Sequence, residues 1–521
     1  MLVNIICIGI FNGLIYANTK SIINYQSINL LLLNLMFQDY HFLNIKFYLA
    51  SILMFFTLLN QNIVKTINDS LIISLIGAEI INFIKLWVEI PLGLVFLLIY
   101  SRMSTKYNNQ KLFKLIIIYF LIFYSFFIFV FIPYRQFVQF KVEKLHHLVH
   151  IYPNCKYLFI LCHEYILILF YAVCSLWPNI VFSLLFWQLV NKSTNVETAI
   201  KTYPYLNFFG QLNLLFSGSL ITYFSQDSHF LYKLLTYYST WQTNLSIISL
   251  SMLVIISGIA IIIVLQFFWY EKKTCMSQKD FKKQNTYTFY NNFKVILSSR
   301  YLQFMTIIIA SYSLTINLLE GVWFAKSVEF YKQPEQLIHY KGTVLLWTGI
   351  FTVFCAVFNS YIFRKISWLN GALLTPVITL IFGTVFFILI LFEPVLKSAI
   401  CWITITPLAI ILFLAGVQNA FIKGIKYVLF DLTKEIAYLP LNNTLKTNGK
   451  AAVEILGVRI GKFFSIFIQV MLFTLYPNAS YDDIYIIKYL MFCFLIICLM
   501  WIIAVIHLNN LYHKLINNLT L

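Results

Sequence analysis

Apolar stretches of about 20 residues, the length an α-helix needs to cross the hydrocarbon core of a bilayer, recur along almost the whole chain. They run roughly over 47–67, 82–100, 115–133, 158–190, 203–224, 244–270, 301–320, 341–363, 369–392, 398–422, 455–476 and 484–507. Backbone polar groups in lipid must satisfy one another, so a spanning segment is a helix or part of a closed barrel, and barrel strands are shorter and strictly alternating. The expected fold is an all-α polytopic membrane protein with about twelve transmembrane helices. The fourth stretch is long enough to tilt, or to include an interfacial turn at Trp177-Pro178. Composition agrees: of 521 residues, 60% are hydrophobic and 11% charged, against about 25% charged in a soluble domain.

The net charge of +18 would point to nucleic acid in a soluble protein. Here the positive-inside rule accounts for it, and no nucleic-acid partner is expected. The 101–114 loop carries Arg102, Lys106, Lys111 and Lys114. The 271–300 loop is rich in lysine, Arg364-Lys365 forms a basic turn, and Lys423, Lys426, Lys434, Lys446 and Lys450 follow the tenth stretch. The opposite loops 68–81 and 477–483 carry no Lys or Arg; the 134–157 loop argues the other way. Both termini are therefore expected on the cytoplasmic side. The basic 271–300 loop divides the chain into an N-terminal six-helix half, 46–270, and a C-terminal one, 301–521, the plan of carriers with a central site between pseudo-related halves. Such a plan is major-facilitator-like. Residues 1–45 read as an N-terminal extension, either an extra segment or a start placed too early, with Met36 as the alternative start.

Motifs of soluble enzymes fail. The run Gly457-Val458-Arg459-Ile460-Gly461-Lys462-Phe463 imitates a phosphate-binding loop but lacks the four-residue interval and the Ser or Thr after Lys. Its glycines, four apart, suit close helix approach instead. His163-Glu164 has no second His to make a zinc helix, and the nine cysteines include no C-x-x-C pair. No metal or cofactor is indicated. Asp482-Asp483, the one adjacent acidic pair, lies in a short loop, which disfavours a polytopic enzyme. Without an ATPase motif, transport must run on substrate or ion gradients.

What stands out instead is a set of ionisable residues within or beside the apolar stretches: Lys65, Asp69, Lys85, Glu89, Glu164, Glu320, Lys326, Arg459 and Lys462. Charges there are costly and mark function by default. A polyanion such as a nucleotide needs paired cations as its phosphates lose water; Lys85, Arg459 and Lys462 can supply them. Arg459 and Lys462, three apart, share a helix face. Glu320, at the close of the seventh stretch, reads as a gating ion-pair partner. For Lys326 and Glu89 the bland reading, a snorkelling or interface residue, is preferred.

The stretch from Gly416 to Lys462 also resembles a family. Gln418-Asn419, Lys423-Gly424, Lys426-Tyr427, Leu429-Phe430-Asp431, Thr433-Lys434, Ala437-Tyr438, Pro440-Leu441, Gly449, Ala451-Ala452 and Gly461-Lys462 look like the signature of the ATP/ADP translocases of rickettsiae, chlamydiae and plastids. Asp69-Ser70-Leu71, Phe83-Ile84-Lys85-Leu86-Trp87, Trp187-Gln188, Asn317 through Trp323 and Thr375-Pro376 extend the resemblance over roughly 46–508. It implies a secondary transporter that moves nucleotides by alternating access, exchanging ATP for ADP; the alternative is proton-coupled import of other nucleotides or NAD. It implies substrate-binding or gating roles for Lys65, Asp69, Lys85, Glu320, Lys426, Arg459 and Lys462, and residence in the inner membrane of an intracellular bacterium. Of four charged positions tied to transport in that family, Glu320 and Lys462 are kept. Asn68 stands where Lys is usual and Ser175 where Glu is usual, so a preference other than plain ATP/ADP exchange is expected.

Overall fold

The computed structural model describes residues 45–107, 109–131, 142–193, 196–226, 245–273, 296–297, 299–365, 367–399, 406–438, 440–441 and 449–520. The N-terminal extension up to residue 44 and most of the basic 271–300 loop lie outside the described residues. Among those described, every regular element is helical. The long helices are α1 (Ile45–Leu75), α2 (80–106), α3 (109–131), α4 (165–193), α5 (Val196–Phe224), α6 (Leu245–Lys273), α7 (Arg300–Phe330), α8 (Pro334–Lys365), α9 (Trp368–Leu391), α10 (407–437), α11 (Lys450–Leu475) and α12 (Ile484–Thr520). Eleven of them are long and apolar enough to cross a membrane. The exception is α5, 29 residues long but carrying Glu197, Lys201 and several Asn and Ser.

Contacts knit Leu49–Leu521 together. Helix α7 lies between α11 and α12, α9 packs on α10 and α12, and α8 on α10; α3 packs on α6, and α2 on α4. Two seams join the first six helices to the last six, one along α5 and α8, the other where residues 80–89 of α2 meet α11. Lipid offers apolar groups no less than a helix surface does, so close van der Waals fit drives this packing. Gly461 shows how close: a Cβ there would run into the carbonyl oxygen of Ala310 on α7. Large apolar side chains such as Leu98, Phe413 and Phe492 stay exposed, as a bilayer-facing surface requires.

Several helices run past their expected limits. α1 continues to Leu75, so Asn68 and Asp69 lie inside it with Lys65, not after it. α7 continues to Phe330, so Glu320 does not close it. α8 begins at Pro334, which places Lys341 about two turns inside. α10 does not stop near Ile422; it continues through a π-helical turn, Lys426–Phe430, to Ala437, so Lys423 and Lys426 are helical. α11 begins at Lys450, which moves Arg459 and Lys462 beyond its first two turns. In the fourth stretch the interruption falls at Glu164, between Lys156–His163 and Tyr165–Trp177. Trp177-Pro178 makes no interfacial turn: Pro178, which has no N–H to give the ladder, opens a π-helical run to Phe186.

Candidate functional site

The charges come together between the helices. Lys65 and Asp69, four apart, form a stripe on α1. In α2, Lys85 and Glu89 bound a π-helical turn, Lys85–Glu89; such an insertion re-aims side chains and recurs at functional sites. α7 brings Glu320, α8 brings Lys341, α10 brings Lys423 and α11 brings Lys462. These groups act on one another. Lys423, Lys65 and Lys85 are the principal charges on Glu320. Glu320, Asp69 and Glu89 are those on Lys65, and Lys85, Glu89, Lys65 and Glu320 those on Lys462. Five lysines thus face three carboxylates, and the set carries a surplus of two positive charges. Lys65 and Lys462 are nevertheless exposed. Side chains that water reaches while charges from other helices surround them line an open cleft, which spares the lysines much of the cost of burial.

Direct pairs fix part of the wall. Glu320 Oε1 and Lys423 Nζ are 2.9 Å apart. Asp69 accepts a hydrogen bond at Oδ1 from the Tyr171 hydroxyl at 3.2 Å, and its Oδ2 lies 3.9 Å from Lys341 Nζ. Beside Glu320, a small crevice between α7 and α10 is lined by Leu319, Trp323, Gln418, Asn419 and Ile422. Trp323 donates to the Tyr340 hydroxyl at 2.9 Å, and Tyr340 to Leu412 O at 2.7 Å, which holds the indole in place.

One end of the bundle is shut by bonds between the first and last six helices. Asn82 on α2 donates to Gln469 Oε1 on α11 at 3.1 Å and to the Tyr481 hydroxyl at 2.9 Å; that hydroxyl donates to Gln469 Oε1 at 2.6 Å. Gly321 makes room for this knot: a Cβ there would lie 2.5 Å from Gln469 Oε1 and 2.7 Å from the Tyr481 hydroxyl oxygen. Tyr481 N donates to Glu79 Oε1 at 3.3 Å. Lys156 donates to Pro477 O at 3.4 Å, and Ser225 Oγ meets His339 Nδ1 at 3.0 Å. Burial pushes the Glu79 carboxyl above the usual carboxylate range, against the backbone hydrogen bonds it accepts. The other end carries an ion network. Lys426 pairs with Asp431 at 3.0 Å and Lys434 with Glu454 at 2.9 Å. Burial works against the Lys434 ammonium, but Asp431 and Glu454 outweigh it and hold the group above the ordinary lysine value.

Of the residues expected from sequence, Lys65, Asp69, Lys85, Glu89, Glu320 and Lys462 meet. Lys426 belongs to the end network. Arg459 is exposed on α11 and is not among the principal charges acting on Lys462. Glu164 sits at the helix interruption beside His163, 3.1 Å away. Lys326 does not snorkel: it is 4% exposed and pairs with Glu329, Glu393 and Asp482 at 2.8, 3.0 and 3.1 Å. Asn68 donates to Tyr171 O at 3.1 Å, one turn before Ser175, which bonds its own helix at Ala172 O. Lys341 and Lys423 were not expected. Lys423 stood among the basic residues that follow the tenth stretch, and Lys341, the first residue of the eighth, was not singled out.

Residues 33–512 match the family described as TLC ATP/ADP transporter, beginning earlier than Lys46. Among curated relatives, ADP,ATP carrier protein 4 of Rickettsia typhi is 34% identical over 474 residues, 90% of this chain and 91% of its own length. ADP,ATP carrier protein 3 of Rickettsia prowazekii is 33% identical over 474 residues, 89% of this chain and 94% of its own. Among solved structures, a bacterial homologue of the iron transporter ferroportin in an inward-facing state superposes with a TM-score of 0.54 at 14% identity, over 88% of this chain and 98% of that one. A bacterial metal transporter gives 0.53 at 12%, over 90% and 99%. At such identity the likeness concerns the fold alone: an all-α, polytopic, major-facilitator-like architecture.

Proposed function

The chain belongs to the TLC ATP/ADP transporter family, and from that premise we propose that it is a secondary transporter carrying nucleotides across a membrane by alternating access. The observation that carries the reading is the cleft with its surplus of two positive charges, drawn from α1, α2, α7, α8, α10 and α11. Phosphate oxygens entering it gain charge-assisted hydrogen bonds of roughly 1.5–3 kcal/mol each. Lys65 and Lys462, exposed here, are the first cations a phosphate meets. Glu320 holds Lys423 until a phosphate competes for it, so binding and rearrangement of the wall are linked. Bonds at the Tyr481 end keep the cleft closed on that side; in the second access state they part and the opposite end closes.

The relatives named as ADP,ATP carriers support ATP and ADP as reference substrates. Asn68 and Ser175 support a preference that is not strict ATP/ADP exchange. The two six-helix groups, 46–270 and 301–521, move against each other in this reading. The lysines of the 101–114 loop and of α10 support an orientation with both termini in the cytoplasm, and the rickettsial relatives support the cell membrane of a bacterium that lives inside host cells. The test is uptake of labelled ATP by cells expressing the chain, challenged with nucleoside tri-, di- and monophosphates and NAD. Uptake that several nucleotides suppress is the expected result. No uptake above control cells with any nucleotide overturns the function, and strict one-for-one ATP/ADP exchange overturns the substrate preference.

A further inference from the structure

Lys341 carries a charge in a place that suits none. It lies where α8 faces Asp69 of α1 and Phe324 of α7, beside the seam along which α8 runs on α5, and Gly342 next to it shows how tight that seam is: a Cβ there would lie 2.6 Å from Ile221 Cγ2 and 3.1 Å from Thr222 N. The lysine side chain is 7% exposed, and its ammonium has no hydrogen-bond partner. The nearest carboxylate oxygen is Asp69 Oδ2, on α1, at 3.9 Å. The ring of Phe324 lies 4.1 Å away, centroid to Nζ. Asp69 is shared, since Tyr171 donates to its other oxygen and Lys65 is a second cation acting with it. Of the remaining charges felt by Lys341, Lys65 and Lys423 repel it and Glu320 attracts it.

A buried ammonium without hydrogen bonds is costly, and a loose ion pair offsets only part of that cost. Opening the seam admits water to the group and removes the penalty. We propose that Lys341 is a positioning residue for transport: its buried charge loads the closed junction of α8 with α1 and α5 against itself, Asp69 relieves part of the load, and the pair sets the balance between the two access states. This rests on the alternating-access reading, and it extends that reading to a residue the family resemblance does not single out.

The two partners then act with opposite sign. Lys341→Met keeps the bulk, removes the buried charge and leaves Asp69 with Tyr171 and Lys65, so the seam closes more firmly. Asp69→Asn keeps the shape and leaves Lys341 without its nearest carboxylate, so the seam opens. A pair that merely holds structure together would weaken the seam whichever partner is lost. Ser225 and His339, facing each other at 3.0 Å across the same seam, provide the reporter. Ser225→Cys and His339→Cys are introduced into a full-length chain freed of its nine native cysteines, and the rate of oxidative cross-linking is measured in membranes without nucleotide. Lys341→Met should raise that rate and Asp69→Asn lower it, each by at least about tenfold, less than the full cost of stranding a buried charge because Asp69 is shared and the pair is loose; Asp69→Glu should stay near the parent. Shifts in the same direction, or none, overturn the proposal. If Asp69→Asn fails to reach the membrane, Lys341→Met alone decides: an unchanged or lower rate overturns it. Because no nucleotide is present, a failure of the nucleotide-uptake test leaves this result standing on its own.

Discussion

Glu320 and Lys423 face each other at 2.9 Å from α7 and α10, at the edge of the cleft and beside the crevice. A pair so placed can trade its partner for a phosphate, so it serves movement more than base recognition. Glu320→Gln gives up a charge-assisted bond of roughly 1.5–3 kcal/mol; exchange should slow at least about tenfold while equilibrium nucleotide binding, measured on the purified protein, changes less. Equal losses in both would contradict the gating role. Asn68 makes a second residue-level case. It reaches α4 at Tyr171, one turn from Ser175, so a Lys and a Glu at positions 68 and 175 would stand on adjacent helices. An unpartnered buried charge costs about 3–5 kcal/mol. Asn68→Lys and Ser175→Glu should each impair uptake, and the double substitution should recover part of the loss; additive damage would rule out pairing.

At the scale of elements, the spans were legible and their ends were not. Hydropathy marks where a helix faces lipid or an apolar core. It fades where a helix packs polar or charged side chains against its neighbours, as with buried Asn68, Asp69 and Ser70 near the end of α1 and buried Lys326 and Ser327 near the end of α7, which is why those turns, the first turns of α8 and the continuation of α10 read as loops. Glu320 stood at the close of the seventh stretch, yet α7 continues and Gly321 beside it serves the knot of Gln469 and Tyr481. Lys341 and Lys423 escaped notice for the same reason: each stood at a boundary drawn too short. The glycine spacing on α11 was read correctly, as Gly461 against Ala310 shows. Gly461→Val should overpack the α7–α11 contact by about 1–3 kcal/mol, seen as a lower midpoint of thermal unfolding in detergent; an unchanged midpoint would mean that the helices can part there without penalty. The π-helical turns were not legible at all. No residue pattern announces Lys85–Glu89 or Lys426–Phe430, although both carry charges that matter to the site or its neighbouring network.

For the whole molecule, alternating access requires that the bonds at the Tyr481 end break and re-form. Glu79 makes that closure sensitive to acid. Its carboxyl, raised by burial in the closed form, with Asp482 and Lys156 as the charges beside it and Tyr481 N as its donor, returns toward the ordinary value of 4.5 once water reaches it. The closed form then holds more protons than the open one between those two values. Closure is strongest below the ordinary value and weakens as pH rises through the closed-state value. The cross-linking rate between cysteines placed at Ser225 and His339, taken at each pH relative to the same cysteine pair in Glu79→Gln so that thiolate ionisation cancels, should therefore fall as pH rises from about 4.5; a ratio that does not change with pH would clear Glu79 of the role. The central claim, that a cationic cleft moves nucleotides, is tested most directly in liposomes holding the purified protein and loaded with unlabelled ADP, by following entry of labelled ATP. Labelled nucleotide should accumulate with the parent chain, at a rate that depends on the nucleotide loaded inside, and should not accumulate with Lys462→Ala, although that variant still inserts. Accumulation no greater than in protein-free liposomes, or equal transport and affinity for Lys462→Ala, would contradict the account.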